Sequence, residues 1–225
     1  MSAKANLNIT AIILSGGTGS RFKNKKPKQF FKIKNDPIIC LSIKAFDTHS
    51  DINEIIIVSN EEYINETKRL CNEYNFKKTN KIVKGGNSRQ ISSYNGVKAC
   101  STQSTHVLIH DAARPFVSKD LISDCITALK INDAICTGTP SSDTLLKVDS
   151  NNKIKSVPSR NLFYRAQTPQ GFEISLIKKA QQKAIDKSKH DYTDDSSLAL
   201  DLSDTDIIVV PGDPKNIKIT YNSDI

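Results

Sequence analysis

Three glycines in four positions, Gly16, Gly17 and Gly19, follow the apolar run Ile9 to Leu14, and five cations follow them: Arg21, Lys23, Lys25, Lys26 and Lys28. Glycines let backbone N–H groups close on a phosphate because no Cβ stands in the way. The cations supply the counter-charge that a triphosphate needs, so the pairing points to nucleotide chemistry. A second double glycine lies in Lys84-Gly-Gly-Asn-Ser-Arg-Gln-Ile-Ser-Ser93, where it opens a helix. The backbone of Gly85 and Gly86 can read the edge of a base, with Ser92 one turn inside that helix. Asn87 or Ser88 is its natural N-cap. A third stretch, His106-Val-Leu-Ile-His110, reads as a strand that ends in Asp111-Ala-Ala-Arg-Pro-Phe-Val117. An aspartate at a strand's carboxyl end suits Mg²⁺, a hard cation that favours carboxylate and phosphate oxygens. Arg114 is placed to orient that carboxylate or to hold phosphate. A plain capped turn with a local Asp–Arg pair accounts for the same residues.

Two common nucleotide loops fail against the first glycine turn. The Walker pattern requires a Gly-Lys pair, and none occurs in the chain. The dinucleotide pattern requires the last glycine to open a helix. Pro27 falls where the second turn of that helix would run, and proline there breaks it. The loop is therefore read as open, basic and long.

The elements that must position these loops alternate. Strands are expected at Ile9–Leu14, Glu54–Ser59, Lys81–Val83, His106–Ile109, Ala134–Thr139 and Asp206–Val210. Helices are expected at Pro37–Asp47, Glu61–Tyr74, Ser88–Cys100, Lys119–Lys130 and Glu173–Ile185. This alternation implies an α/β fold with a mostly parallel sheet and right-handed crossovers. Ligands in such sheets bind beyond the carboxyl ends of the strands, where the glycine turn and Asp111 both fall. Residues 143–160 break the rhythm as two short strands around Asp149-Ser-Asn-Asn152, either a surface ribbon or a dimerisation arm. Near the C-terminus, Thr193 or Asp194 is a ready N-cap for a helix through Leu200. Lys218, expected in a short strand, is placed to point an ammonium into the cleft.

Composition narrows the class. At 225 residues the chain holds one large α/β domain, 1–225, with a proper core. With 37% hydrophobic and 25% charged residues it is globular rather than disordered. The net charge of +8 favours polyanionic partners. Five cysteines at 40, 71, 100, 125 and 136 contain no Cys-x-x-Cys pair. That argues against a disulfide framework or a zinc site and for a reducing cytoplasm. The sequence shows no apolar run of secretory or membrane-spanning length.

Seven stretches in order carry a closer likeness: Ser15-Gly-Gly-Thr-Gly-Ser-Arg21, Pro27-Lys-Gln29, Gly85-Gly-Asn-Ser-Arg89, His110-Asp-Ala-Ala-Arg-Pro-Phe116, Arg165-Ala-Gln-Thr-Pro-Gln-Gly-Phe172, Thr193-Asp-Asp-Ser-Ser197 and Asn216-Ile-Lys-Ile-Thr220. From Ile9 to its last residues the chain resembles the 2-C-methyl-D-erythritol 4-phosphate cytidylyltransferase family of the non-mevalonate isoprenoid pathway. The resemblance implies a Rossmann-like three-layer fold of the nucleotide-diphospho-sugar transferase type. It implies a protruding β-arm at about 141–166 and a homodimer built through that arm. The implied reaction joins CTP to methylerythritol phosphate, with Mg²⁺ as cofactor and no nucleic acid or membrane partner.

The resemblance also assigns roles. Ser15, Gly16 and Gly17 line cytidine and triphosphate. Arg21 and Lys28 hold phosphates in the transition state. Gly86, Asn87 and Ser92 surround cytosine, and Ala112 packs by the ribose. Asp111 lies between Mg²⁺ and the second substrate, and Lys218 bridges the two reacting phosphates. Thr168 contacts methylerythritol phosphate, while Thr144 and Arg160 on the arm reach the substrate phosphate of the partner subunit. The chain departs from the family where Ser15-Gly16 replaces a more frequent Ala-Ala and where Asn87 replaces a frequent aspartate. It stops at Asn222-Ser-Asp-Ile225, where relatives usually continue with another helix. That ending suits a chain trimmed from a longer or bifunctional protein carrying a cyclodiphosphate synthase. The expected location is the bacterial cytoplasm.

Rival readings stay open at this stage. The nearest is a ribitol-5-phosphate cytidylyltransferase, which shares the Gly-Ser-Arg and Pro-Lys-Gln motifs. An NAD-dependent oxidoreductase is weakened by Pro27. A nucleic-acid-binding module lacks interleaved aromatics among its scattered cations.

Overall fold

Strand β1, Ile9–Ser15, is buried at every residue. A run of apolar side chains covered on both faces belongs at the centre of a parallel sheet, and β1 takes that place in a computed structural model that describes residues 7–17 and 27–224. A small hairpin, β2 (Lys32–Ile33) and β3 (Asp36–Pro37), leads into α1 (Ile38–Asp47). There follow β4 (Glu54–Ser59), α2 (Ile64–Glu73), β5 (Thr79–Lys84), α3 (Arg89–Ala99), β6 (His106–Asp111), α4 (Lys119–Leu129) and β7 (Ala134–Pro140). A two-stranded ribbon, β8 (Lys147–Val148) and β9 (Ile154–Ser156), precedes β10 (Tyr164–Glu173), α5 (Ile174–Asp186), α6 (Asp195–Leu202) and β11 (Ile208–Pro211).

The seven-stranded sheet runs β11-β7-β10-β6-β1-β4-β5. Only β10 is antiparallel to its neighbours β6 and β7; the other pairings are parallel. After β1 the chain builds outward through β4 and β5, then returns to lay β6 on the other side of β1. The order therefore reverses between β1 and β6, and a crevice opens beyond their carboxyl ends.

Side-chain alternation along β1 builds both faces. Ile9, Ala11 and Ile13 pack with α1, α2 and α4 through Ile39, Phe46, Leu70 and Ile122. Ile12 and Leu14 pack with α3, α5 and α6 through Val97, Ile177 and Leu198. The result is three layers, helix–sheet–helix, as expected. Gly96 lets α3 lie against the sheet, since a Cβ there would stand 2.5 Å from Ile12 Cγ2.

The expected strands and helices are present, with three corrections. Residues 164–173, to which the sequence pattern assigned no element, form β10 in the middle of the sheet. The register slips between Ala166 and Gln170, around a cis Thr168–Pro169 bond. Lys218 sits in irregular backbone rather than a strand. That segment is held by Ile219 N–H donating to the Ala113 carbonyl at 2.8 Å. The last strand begins at Ile208 rather than at 206. The ribbon forms as read: Asp149 Oδ1 accepts the N–H groups of Asn151 at 2.9 Å and Lys153 at 3.0 Å, and Asn152 adopts φ 60°.

Candidate active site

Two hydrogen-bonded glycine loops form the floor of the crevice. Gln29 reaches back from the turn after Pro27 and donates to the carbonyls of Ser15 at 2.8 Å and Gly17 at 3.3 Å. This ties the Ser15 and Gly17 carbonyls to Gln29. On the other side, Gly85 N–H donates to the Ser59 carbonyl at 2.8 Å, tying the second loop to the end of β4. Ser92 Oγ donates to the Ser88 carbonyl at 2.8 Å and accepts from Gly86 N–H at 3.1 Å. A Cβ at Gly16 would stand 3.2 Å from that oxygen, and one at Gly85 3.1 Å from it. Ser92 is thus the rivet between the loops, and its hydroxyl is already engaged by protein. Ser88, not Asn87, caps α3, accepting from Ile91 N–H at 3.2 Å.

Above this floor lies a cavity of about 480 Å³. Ser15, Gly16 and Gly17 line it from the end of β1 and the turn after it, Gly86 and Asn87 from the loop before α3, and Ser92 from α3 itself. Lys28, Asp111, Ala112 and Lys218 complete its walls. Ten sequence-predicted residues therefore converge on one space. Lys28 Nζ donates to the Ile219 carbonyl at 2.6 Å, which draws the C-terminal segment over the crevice. A second cavity of about 200 Å³ adjoins the first and is lined by Arg114, Thr168 and Asp194 among others. Arg89, Asp111 and Lys218 belong to both and form the wall between them.

That wall is an ion-pair chain. Asp111 Oδ1 accepts from Arg89 Nε at 3.1 Å, and Oδ2 accepts from Lys218 Nζ at 2.6 Å. Arg89 Nη1 donates at 2.7 Å to Asp195 Oδ2, whose side chain is 2% exposed. Ser93 Oγ holds the other Asp195 oxygen. Burial alone would raise the Asp111 carboxyl, but Arg89, Lys218 and Arg114 hold it well below the usual carboxylate range. Asp111 is therefore a fixed anion that aims two cations at the boundary between the cavities. Thr168 Oγ1 accepts the Asp111 N–H at 3.1 Å, and His110 lies behind it. Burial pushes the His110 imidazole down to about 4.

Several site residues carry no role in the sequence reading. Arg89 opens α3, and a cation at a helix N-terminus opposes the dipole. That misfit is the signal for a local carboxylate. Asp194 and Asp195 begin α6 together, yet one cap suffices. Asp194 takes it, accepting from Ser197 N–H at 2.8 Å, and Asp195 is left to bind Arg89. Gln170 holds both in place: Oε1 accepts from Asp195 N–H at 3.0 Å, and Nε2 donates to Asp194 Oδ2 at 2.8 Å. Arg21 lies outside the described residues. Thr144 and Arg160 are exposed on the arm and line neither cavity of this chain. The Arg160 guanidinium donates to the Ser142 carbonyl at 3.1 Å.

Among the described residues no three His, Cys, Asp or Glu side chains cluster as a metal cage. Asp111 offers a single carboxylate at the cavity boundary. This donor set suits Mg²⁺ shared with substrate phosphates, which needs one or two carboxylates from protein.

The family model described as 2-C-methyl-D-erythritol 4-phosphate cytidylyltransferase matches residues 9–225. The enzyme of that name from Clostridioides difficile is 39% identical over 217 residues, 96% of this chain and 90% of the relative. The crystal structure of 4-diphosphocytidyl-2C-methyl-D-erythritol synthase from Anaerococcus prevotii superposes with a TM-score of 0.87 at 32% identity, covering 97% and 93% of the two chains. The bifunctional IspDF structure from Campylobacter jejuni matches with a TM-score of 0.80 at 27% identity, over 97% of this chain and 53% of that one.

Proposed function

The chain belongs to the 2-C-methyl-D-erythritol 4-phosphate cytidylyltransferase family, and from that premise we propose how its two cavities perform the reaction. It is a nucleotidyltransferase that joins CTP and 2-C-methyl-D-erythritol 4-phosphate to give 4-diphosphocytidyl-2-C-methyl-D-erythritol and pyrophosphate. CTP occupies the larger cavity, with cytosine over Gly86 and Asn87 and the triphosphate along Ser15, Gly16 and Gly17. The polyol phosphate occupies the smaller one, beside Thr168. Its phosphate oxygen attacks the α-phosphorus in line. The new P–O bond forms as the bond to the β-phosphate oxygen breaks, and that oxygen keeps the electron pair as pyrophosphate leaves.

A phosphate monoester is already an anionic nucleophile near neutral pH, so no general base is needed. The barrier is repulsion between two anions and charge growing on pyrophosphate. Positioning and electrostatic stabilisation lower it. The observation that carries this reading is Lys218 Nζ, 2.6 Å from Asp111 Oδ2 in the wall shared by both cavities. In this reading the tethered ammonium meets both reacting phosphates. Lys28, which lines the larger cavity, is assigned to the triphosphate, and Arg21 is given the same role. Asp111 would hold Mg²⁺ together with the nucleotide, and the ion would neutralise triphosphate charge.

The arm supports a homodimer. Leu146, Val148, Ile154, Val157, Leu162 and Tyr164 are all about half exposed or more, a concentration of apolar surface that a second subunit would cover. Thr144 and Arg160 would then serve the partner's site. Residues 1–225 work as one catalytic domain. The five free thiols suit a bacterial cytoplasm.

The deciding experiment is turnover with CTP, Mg²⁺ and each polyol phosphate in turn. Methylerythritol phosphate is expected as the preferred substrate. A preference for ribitol phosphate would overturn the assignment.

A further inference from the structure

His110 takes no part in the reaction as written, yet it is fully buried directly behind the smaller cavity. Its ring packs against Phe46 with centroids 5.1 Å apart, which fixes its plane. Its hydrogen bonds fix its tautomer. Nε2 lies 3.0 Å from the Arg114 carbonyl oxygen, which can only accept, so Nε2 carries the proton. In the neutral ring Nδ1 is then an acceptor, and its partner at 2.9 Å is Thr168 Oγ1. The Thr168 hydroxyl must donate its one hydrogen to Nδ1. It also receives the Asp111 N–H at 3.1 Å on one lone pair. One lone pair remains, and Thr168 lines the smaller cavity.

We infer that His110 is a positioning residue that locks the Thr168 hydroxyl as an acceptor, so that Thr168 recognises a hydroxyl of the polyol and not its phosphate. A freely rotating threonine would turn its hydrogen toward a phosphate oxygen. This one has no hydrogen to offer, and its lone pair repels an unprotonated phosphate oxygen. The phosphate is therefore steered toward Lys218 and Arg114, and a hydroxyl is drawn over Thr168. The same lock ties the polyol to the Asp111 backbone, so substrate carbon chain and catalytic carboxylate share one rigid unit. The inference rests on the smaller cavity being the polyol-phosphate site.

The test uses the full chain with CTP, methylerythritol phosphate and analogues in which single hydroxyls are replaced by fluorine, which accepts but cannot donate. The native enzyme should lose about tenfold or more in kcat/KM on one such analogue, the size expected for a lost hydrogen bond against a lone pair. Thr168→Val should treat that analogue and the parent alike, while Thr168→Ser keeps the discrimination. His110→Phe should raise KM for the polyol phosphate about tenfold and leave KM for CTP unchanged. His110→Gln, whose carboxamide oxygen can accept, should recover part of that loss. Imidazole ¹⁵N NMR should find the proton on Nε2.

A folded His110→Phe enzyme with native KM for the polyol phosphate would overturn the inference. So would a proton on Nδ1, or a Thr168→Val enzyme that keeps the full penalty on that analogue. If His110→Phe does not fold, the Thr168 pair and the spectrum decide. Should another polyol phosphate prove to be the substrate, the assigned reaction falls, and the same analogue series on that polyol still tests the lock.

Discussion

Arg89 Nε stands 3.1 Å from Asp111 Oδ1 while the same guanidinium holds Asp195 at 2.7 Å. One cation thus bridges two largely buried carboxylates, one in the wall of both cavities, where Lys218 is its second partner, and one behind it. Removing a single member of a buried pair strands the other charge, at a cost of about 3–5 kcal/mol. Arg89→Met is expected to destabilise the fold by that amount and to lower turnover, because Asp111 loses the partner that orients it. Urea unfolding measures the first and steady-state kinetics the second. A stability within about 1 kcal/mol of the native chain would remove Arg89 from this role.

Acid should loosen the protein in a defined window. His110 is held neutral by burial, its value pushed from 6.5 down to about 4. The unfolded chain takes up a proton as pH falls below about 6.5, and the folded chain does so only near pH 4. Stability contributed by the neutral ring is therefore complete above about 6.5 and lost progressively down to about 4, by roughly 3 kcal/mol in all. Asp111, held below its ordinary range by Arg89 and Lys218, continues the loss at still lower pH, since its unfolded form protonates first. His110→Asn should reduce the dependence between pH 6.5 and 4, leaving the part due to His49, which burial also lowers, and should keep the lower limb. Unfolding midpoints across pH check this, and an unchanged slope in the variant would count against it.

Two glycines should respond oppositely to alanine. A Cβ on Gly171 would stand 2.8–2.9 Å from Ile135, Leu108 and Leu129, inside the core. Gly171→Ala should cost about 1–3 kcal/mol by overpacking. Among the described residues a Cβ on Gly17 meets nothing within 4 Å, and it projects from the loop that lines the larger cavity. Gly17→Ala should leave stability within about 0.5 kcal/mol and weaken CTP binding instead. Thermal unfolding and CTP titration on both variants separate the two effects; equal losses of stability would contradict the packing argument.

How far the sequence revealed this site follows from what kind of force holds each part. Ile9–Leu14 and Glu54–Ser59 are continuous apolar runs, so burial wrote their strands plainly. The glycine loops and Asp111 were legible as a set, because each has a plain turn or cap reading by itself and only their shared place at strand carboxyl ends points to one cleft. Residues 164–173 were not, because Gln167, Thr168 and Gln170 are buried through hydrogen bonds rather than apolarity, and Pro169 argues against a central strand. Arg89 and Asp195 escaped for a related reason. Their pairing spans 106 positions in sequence, and neither side chain announces its partner. Lys218 stands at the cleft as expected but on another scaffold, since the Ile219 N–H to the Ala113 carbonyl and the Lys28 ammonium to the Ile219 carbonyl hold its segment without a strand.

Chelation should separate activity from folding. The described residues hold no three-donor metal cage, so Mg²⁺ is expected to add nothing to the stability of the free chain. EDTA is expected to abolish turnover and leave the unfolding midpoint unmoved, with activity restored by added Mg²⁺. A midpoint that drops on chelation would mean a structural ion that the Asp111 reading does not include.

The proposed completion of each site by the partner's arm predicts complementation between dead variants. Lys28 faces the larger cavity of its own chain, whereas Arg160 sits on the exposed arm beside Ser142 and lines neither cavity there. Lys28→Ala should lower turnover by about 10²-fold or more through loss of a preorganised charge. Arg160→Ala should be similarly impaired if it serves the neighbouring subunit. In a mixed dimer, one site then carries both defects and the other carries neither. Random exchange makes half the dimers mixed, so equal amounts of the two variants should recover roughly a quarter of native activity after unfolding and reassembly together. Each variant treated alone should recover none. If the mixture stays as inactive as its parts while light scattering shows dimers, Arg160 acts within its own chain and the arm does not complete the partner's site.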